Sequence, residues 1–173
     1  MTGDPAGRAE RAPAEVRIRA AGEGDLVAVL DLFRRLDGLQ RPWRVFEPRA
    51  GALAETEARY REALTERDRI LVVAEEGGRL VGMGHGAVVR PSSMSDARAL
   101  EISNVVVLPS RRRRGVARAI VAELVAFGRG RGARTAVIKT FAANEAAVAF
   151  WSDLGFRVRL VQMVADLGDL SGE

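Results

Sequence analysis

The residues best equipped for chemistry crowd into one stretch. Glu101 opens it, followed by the mostly apolar run Ile102 to Leu108, Pro109, four arginines from Arg111 to Arg114, then Gly115, Val116, Ala117 and Arg118. The pattern reads as an apolar strand, a proline-marked turn, a basic glycine-containing loop and the start of a helix. The first amides of a helix lack intrahelical acceptors and lie at the positive end of its dipole, so such a junction suits a phosphate. Gly115 has no Cβ and lets the backbone come close to an anion, and Ala117 is the next smallest choice. Taken alone, four arginines also fit a solvated basic turn or a nucleic-acid patch. The proline and strand before them, with the glycine and amphipathic helix after them, favour a phosphorylated cofactor instead.

Other candidates are more scattered. Glu101 places a carboxylate on an apolar strand, which is costly unless the group is paired or used. His85, the sole histidine, sits among Gly82, Gly84 and Gly86. With one histidine and no cysteine, no metal site is expected. Trp43 and Phe46 fall in an aperiodic segment and read as an aromatic wall or as core. Tyr60, the only tyrosine, reads as a packing residue.

The elements that must position these groups follow from periodicity. Val16 to Arg19 alternates as a first strand, and Asp25 is placed to cap a helix with Leu26, Val29, Leu30, Phe33 and Leu36 on one face. A second helix is expected from about Leu53 to Arg67. Ile70 to Ala74 and Leu80 to Arg90 form a hairpin across Gly77-Gly78. Leu100 to Leu108 is a buried central strand. Val116, Ile120 and Leu124 mark a third helix, Thr135 to Thr140 another strand, and Asn144 caps a fourth helix through Leu154. Phe156 to Leu167 is expected to supply one or two closing strands. The order implies an α/β chain of the α+β type. Its sheet is expected to be mixed, mostly antiparallel and six- to seven-stranded, with parallel central strands and helices on both faces.

Length and composition are consistent with one domain. The chain has 173 residues, 47% apolar and 29% charged, with a formal charge of +4. Residues 1–14 read as a disordered tail, 15–167 as the domain and 168–173 as a second tail. No apolar run approaches the roughly 20 residues of a membrane span. The start of the chain lacks the apolar core of a secretory signal. Disulfides and thiolate chemistry are excluded by the absence of cysteine, and a cytoplasmic location is expected. Lys139 is the only lysine, so the basic charge is almost wholly arginine. That bias also reads as a coding preference for G and C.

At Arg112-Arg113-Arg114-Gly115-Val116-Ala117, three residues beyond Pro109, the segment resembles motif A of the GNAT superfamily of N-acetyltransferases. Asn144, Ala147, Phe150 and Leu154-Gly155-Phe156 resemble the second motif of that superfamily. The element order resembles it from about Val16 to Leu167. The resemblance implies that acetyl-CoA is the cosubstrate, held by backbone amides around Arg113 to Arg118, with Arg112 to Arg118 gripping the pyrophosphate. It implies that Val105, Val106 and Val107 pair their main chain with the pantetheine arm, and that Asn144 and Trp151 border it. Glu101 matches a position where some members place a general base. His85, Trp43 and Phe46 fall where the acceptor is bound. A tyrosine serving as acid in many members is replaced here by Trp151, whose indole is not a useful proton donor. Solvent or a hydroxyl such as Ser103 is then the remaining proton source. The expected reaction is direct attack of a primary amine, on a small molecule or peptide, within a ternary complex. A noncatalytic acyl-CoA-binding regulatory module and an enzyme acting on charged tRNA are the alternatives. Homodimers are frequent in the superfamily, but the resemblance leaves the oligomeric state and the acceptor open.

Overall fold

The β2–β3 hairpin is the centre from which the sheet grows in the computed structural model, which describes residues 15–43, 47–90, 96–165 and 168. Strand β2 (Arg69–Glu76) turns through Gly77 and Gly78, both at positive φ, into β3 (Arg79–Val89). Two successive left-handed residues are what a tight hairpin turn requires, and glycine adopts them without strain. Strand β1 (Arg17–Ala20) pairs antiparallel outside β2, and β4 (Ala99–Val107) pairs antiparallel with β3. Strand β5 (Thr135–Ile138) adds in parallel to β4, giving the order β1-β2-β3-β4-β5.

Helices cover both faces. On one side lie α1 (Leu26–Gln40) and α2 (Ala52–Glu62), whose Val29, Leu30 and Tyr60 meet Leu71, Val73 and Met83 of the sheet. On the other, α3 (Val116–Gly130) drives Val116, Ile120, Val121 and Leu124 against Val72, Leu100 and Ile102. Helix α4 (Glu145–Asp153) packs Phe150 and Trp151 beside the same cluster. Each large side chain fully buried this way contributes roughly 1.5–3 kcal/mol.

The three glycines of β3 have a packing reason. A Cβ on Gly84 would lie 2.7 Å from Ile120 Cγ2 and 3.1 Å from Leu124 Cδ1. Gly82 and Gly86 face the same two helix residues at 3.1 Å. Side chains of α3 fill the space, so the strand carries no bulk where the helix crosses it.

Three expectations need correction. The sheet has five strands among the described residues, not six or seven. The parallel pair lies at one edge rather than in the centre, because no strand among the described residues pairs outside β5. Residues 156–165 form no strand, and Val158, Leu160, Val161 and Met163 stand exposed; Leu167 lies outside the described residues. That segment has alternation and β-formers, but a strand needs a partner edge, which local pattern does not supply. Asp25 also differs from expectation. It does not cap α1 but takes the Gly22 amide at 2.8 Å and a two-pronged contact from Arg19 at 2.6 and 2.9 Å. Residues 1–14, read as a tail, lie outside the described residues, as do all but Gly168 of 168–173.

Gly84→Ala should lower the unfolding free energy by about 1–3 kcal/mol, through overpacking against α3. The guanidinium midpoint measures it, and Ile120→Leu in the same background, which removes the Cγ2 branch, should recover part of the loss.

Candidate active site

Two irregularities in β4 create the site. The parallel ladder with β5 runs from Ala99↔Thr135 to Ile102↔Ile138 and then stops. Strand β5 ends at Ile138, while β4 continues to Val107. From residue 103 onward β4 has no strand on that side among the described residues, so its edge there is unpaired. Immediately past the last paired residue comes a β-bulge. Met83 faces Val106 and His85 faces Ser103, so Asn104 and Val105 together oppose Gly84. Asn104 sits at φ 54°, in the left-handed region that asparagine tolerates better than most residues.

At the end of β4 the Leu108 amide donates to Val81 O at 2.8 Å, and Pro109–Arg111 form one 3-10 turn. The chain then twists through Arg113 at φ 58° and Gly115 at φ 81° into α3. The first amide bonded within the helix is that of Ala119, which donates to Gly115 O at 2.9 Å. Among the described residues, the amides from Arg113 to Arg118 have no backbone acceptor. Successive free amides in a loop of mixed handedness form a concave anion-binding nest. A Cβ placed on Gly115 would meet nothing within 4 Å, so the mouth of this nest is open.

The arginine run is divided between two tasks. Arg111 forms an ion pair with Glu76, whose side chain is only 11% exposed, and so anchors the turn to the end of β2. Arg112 Nε donates to Val107 O at 3.2 Å, folding back over the end of β4. Arg113, Arg114 and Arg118 are exposed beside the free amides. Val106 and Val107 are buried and Val105 packs toward α3, so only their main chain is available to a ligand.

Register places the remaining candidates. Glu101 faces Ala87 and Ser103 faces His85, which puts Glu101, Ser103 and His85 on the α1–α2 side of the sheet. Glu101 is half-buried and takes part in no ion pair recorded among the described residues. His85 is not the exposed wall residue that an acceptor-binding role suggests. It is 3% exposed, its Nδ1 lies 3.0 Å from Ser103 Oγ, and its Nε2 has no partner. Burial, with help from Arg69 and Arg59, pushes its pKa down to about 4, so the imidazole is neutral at pH 7. Tyr60 packs edge-on to Phe33 and at 5.9 Å from the His85 ring. Burial pushes its phenol up. Its hydroxyl has no partner at hydrogen-bond distance, although the Asn104 side chain is near enough to offset part of that shift.

Trp43 lies against Phe141 at 6.5 Å, joining the segment after α1 to the loop after β5, and Phe46 lies outside the described residues. Asn144 Oδ1 caps α4 by accepting the Ala147 amide at 3.2 Å, which leaves its Nδ2 to donate elsewhere. Trp151 is clamped between Phe150 and Phe156 at 5.0 and 5.1 Å, a packing role. A groove of about 710 Å³ near Arg19, Asp25, Leu32, Arg79, Leu108 and Ser110 touches the 3-10 turn but none of the free amides. Arg19, Asp25 and Glu75 form an ion cluster on its wall, and Arg19 holds the Asp25 carboxyl below its usual range.

What sequence reasoning missed here is the bulge and the His85–Ser103 pair. The only signal for either was a lone histidine on a strand opposite a short polar interruption, Ser103-Asn104, of an apolar run.

Residues 28–156 match the model of the Acetyltransferase (GNAT) family. Solved structures share the fold. An acetyltransferase of Trypanosoma brucei is 25% identical, with 88% of this chain and 99% of that one covered, at a TM-score of 0.64. A predicted acetyltransferase of Clostridium acetobutylicum, solved with acetyl-CoA, is 16% identical over 90% and 98%, with a TM-score of 0.70. Glucosamine-6-phosphate N-acetyltransferase of Arabidopsis thaliana is 17% identical over 88% and 98%, with a TM-score of 0.64. No curated protein matches the sequence significantly.

His85 gives a pH signature of the site. Unfolded, it takes a proton below about pH 6.5, whereas in the fold it stays neutral down to about 4. Its burial therefore carries no proton-linked penalty above pH 6.5, and stability falls as pH drops from 6.5 to 4, by roughly 3 kcal/mol in all. Asp25 adds a loss only at lower pH, beneath its ordinary 3.8. Melting temperatures between pH 7 and 4.5 should show the decline, and His85→Gln should flatten it.

Proposed function

Since the chain belongs to the acetyltransferase (GNAT) family, acyltransferases that use acetyl-CoA, we propose that it transfers acetyl from acetyl-CoA to a primary amine by direct attack in a ternary complex. The observation that carries this reading is the pairing of a free-amide nest at the front of α3 with an unpaired strand edge leading away from it. A diphosphate suits the first, because several N–H groups converge and the helix dipole adds positive charge. An extended amide chain such as pantetheine suits the second, because it pairs with the open main chain of residues 103–107 as an added strand does. In this reading the amides from Arg113 to Arg118 hold the diphosphate, with Arg113, Arg114 and Arg118 adding charge at its rim. Arg112 steadies the end of the edge, and Asn144 Nδ2 donates toward the arm from the far side of the cleft.

The acetyl group then comes to rest where β4 and β5 separate. An alkylammonium has a pKa of about 10.4, so about one molecule in 10³ is nucleophilic near pH 7, and freeing the amine costs about 4 kcal/mol. Glu101 serves as the base that removes this proton, directly or through water. Its carboxylate is half-buried, points to the α1–α2 side and is not engaged in a recorded ion pair. The Val105 amide, at the bulge, serves the acyl oxygen as charge builds there. Trp43 and Phe141 form an aromatic edge for the acceptor.

Glu101→Gln should lower kcat/KM about 10²-fold or more near pH 7 and less as pH approaches 10, where amines lose the proton unaided. Thiol release from acetyl-CoA with a panel of primary amines measures it. Acetyl-CoA should raise the melting temperature of wild type and Glu101→Gln alike. Absence of that protection in the wild type would overturn the reading. Gly115→Ala strains a left-handed position by about 1–2 kcal/mol and should weaken the protection.

A further inference from the structure

We propose that Ser103 is a catalytic residue: its hydroxyl, held by His85, donates a hydrogen bond to the negative charge that develops on the acyl thioester as it is attacked and cleaved. His85 is the positioning residue behind it. The inference rests on the acetyl-transfer reading given above and names a group that reading does not use.

Place comes first. Ser103 is the first residue of β4 beyond the last rung shared with β5, at the point where the strands part. It lies on the same face as Glu101, two residues away, and directly precedes the left-handed Asn104 of the bulge. Along β4 it thus stands between the proposed base, Glu101, and the proposed Val105 amide.

Orientation follows from hydrogen-bond accounting. His85 Nδ1 and Ser103 Oγ are 3.0 Å apart, and His85 Nε2 is buried with no partner. A neutral imidazole has one N–H and one lone pair to distribute. An orphaned N–H is the rarer outcome in folded proteins, and an unused acceptor is better tolerated. The proton therefore sits on Nδ1 and is donated to Ser103 Oγ. The Ser103 O–H is then not taken up by the histidine and is free to donate into the cleft. Neutrality of the ring is secured by its surroundings. Tyr60 covers one side at 5.9 Å, Arg69 and Arg59 oppose a second positive charge, and only 3% of the residue is exposed.

The chemistry needs such a donor. Where an acid tyrosine is expected by resemblance the chain has Trp151, which is clamped between two phenylalanines. A serine hydroxyl is too weak an acid to surrender its proton to a thiolate of pKa about 8.5. Its contribution is electrostatic, a fixed dipole that strengthens as charge appears. No proton changes hands at Ser103, and the departing thiolate leaves as the anion or is protonated by solvent.

The test compares Ser103→Ala, Ser103→Thr and His85→Gln with wild type. Steady-state thiol release from acetyl-CoA is followed with the amine from the panel that supports turnover, together with thermal protection by CoA. Ser103→Ala should lower kcat about 10²-fold with KM for acetyl-CoA and CoA protection little changed. Ser103→Thr, which keeps a hydroxyl, should restore most of kcat. His85→Gln, which keeps a neutral donor, should fall between. Nitrogen NMR of the wild-type ring should show the proton on Nδ1. An active wild type whose Ser103→Ala variant keeps its kcat, or loses it equally in Ser103→Thr, overturns this inference alone. A proton on Nε2 also overturns it. A wild type that neither releases thiol nor is protected by acetyl-CoA overturns the acetyl-transfer reading and this inference with it.

Discussion

A strand edge that loses its neighbour halfway along governs everything else in this molecule. Backbone amides and carbonyls removed from water must find partners, and folded proteins leave very few without one. Strand β4 pairs with β5 only as far as Ile102, so its next residues face an opening in place of a ladder. The amides from Arg113 to Arg118 in the following loop are in the same condition. Two sets of unspent hydrogen-bonding groups thus lie close along one stretch of chain, separated by the bonded turn Leu108 to Arg112, and the proposed function assigns both to one long ligand. The rest of the fold keeps that stretch open. Gly82, Gly84 and Gly86 let α3 press close to the sheet, which sets where its N-terminus points.

Charge in the loop is arranged less simply than its sequence suggests. A run of four arginines next to a proposed phosphate site invites the view that all four grip the ligand. Arg111 is committed to Glu76, and Arg112 is turned back onto the Val107 carbonyl. These two brace the loop, which has to hold Arg113 in a left-handed conformation costing about 1 kcal/mol or more. Arg113, Arg114 and Arg118 are exposed with no such commitment among the described residues.

Much of this was legible beforehand, for definite reasons. The β2–β3 hairpin, the apolar β4 and the amphipathic α3 announce themselves by local periodicity and by glycines at turns. The loop leading into α3 was legible because proline, glycine and helix start are adjacent in sequence. What depends on distant partners was not. Val158, Leu160 and Val164 have the pattern of a strand, yet no edge takes them. The end of pairing at Ile102 depends on where β5 stops, and β5 is shorter than its apolar pattern implied. The His85–Ser103 bond joins two strands through a register that alternation alone does not give. Asp25 looked like a helix cap and was claimed instead by Arg19, a residue from β1.

The bulge at Asn104 has an effect on parity that runs the length of β4. Before it, the even-numbered Leu100 and Ile102 point toward α3; after it, the odd-numbered Val105 and Val107 do. Val106 accordingly turns to the opposite layer, beside Met83 and Tyr60. The extra residue works like a half-step inserted in a staircase, so that everything above it lands on the other foot. Pulling the bulge straight with residue 104 kept would restore an uninterrupted ladder with β3, and in doing so it would turn the upper half of the strand inside out. Val106 would be thrust against Ile120, and Val105 and Val107 would be stranded in the layer meant for Val106. The regular strand would thus be the ruinous one, and this fold tolerates the bulge because both hydrophobic layers are written in the reading frame that it creates.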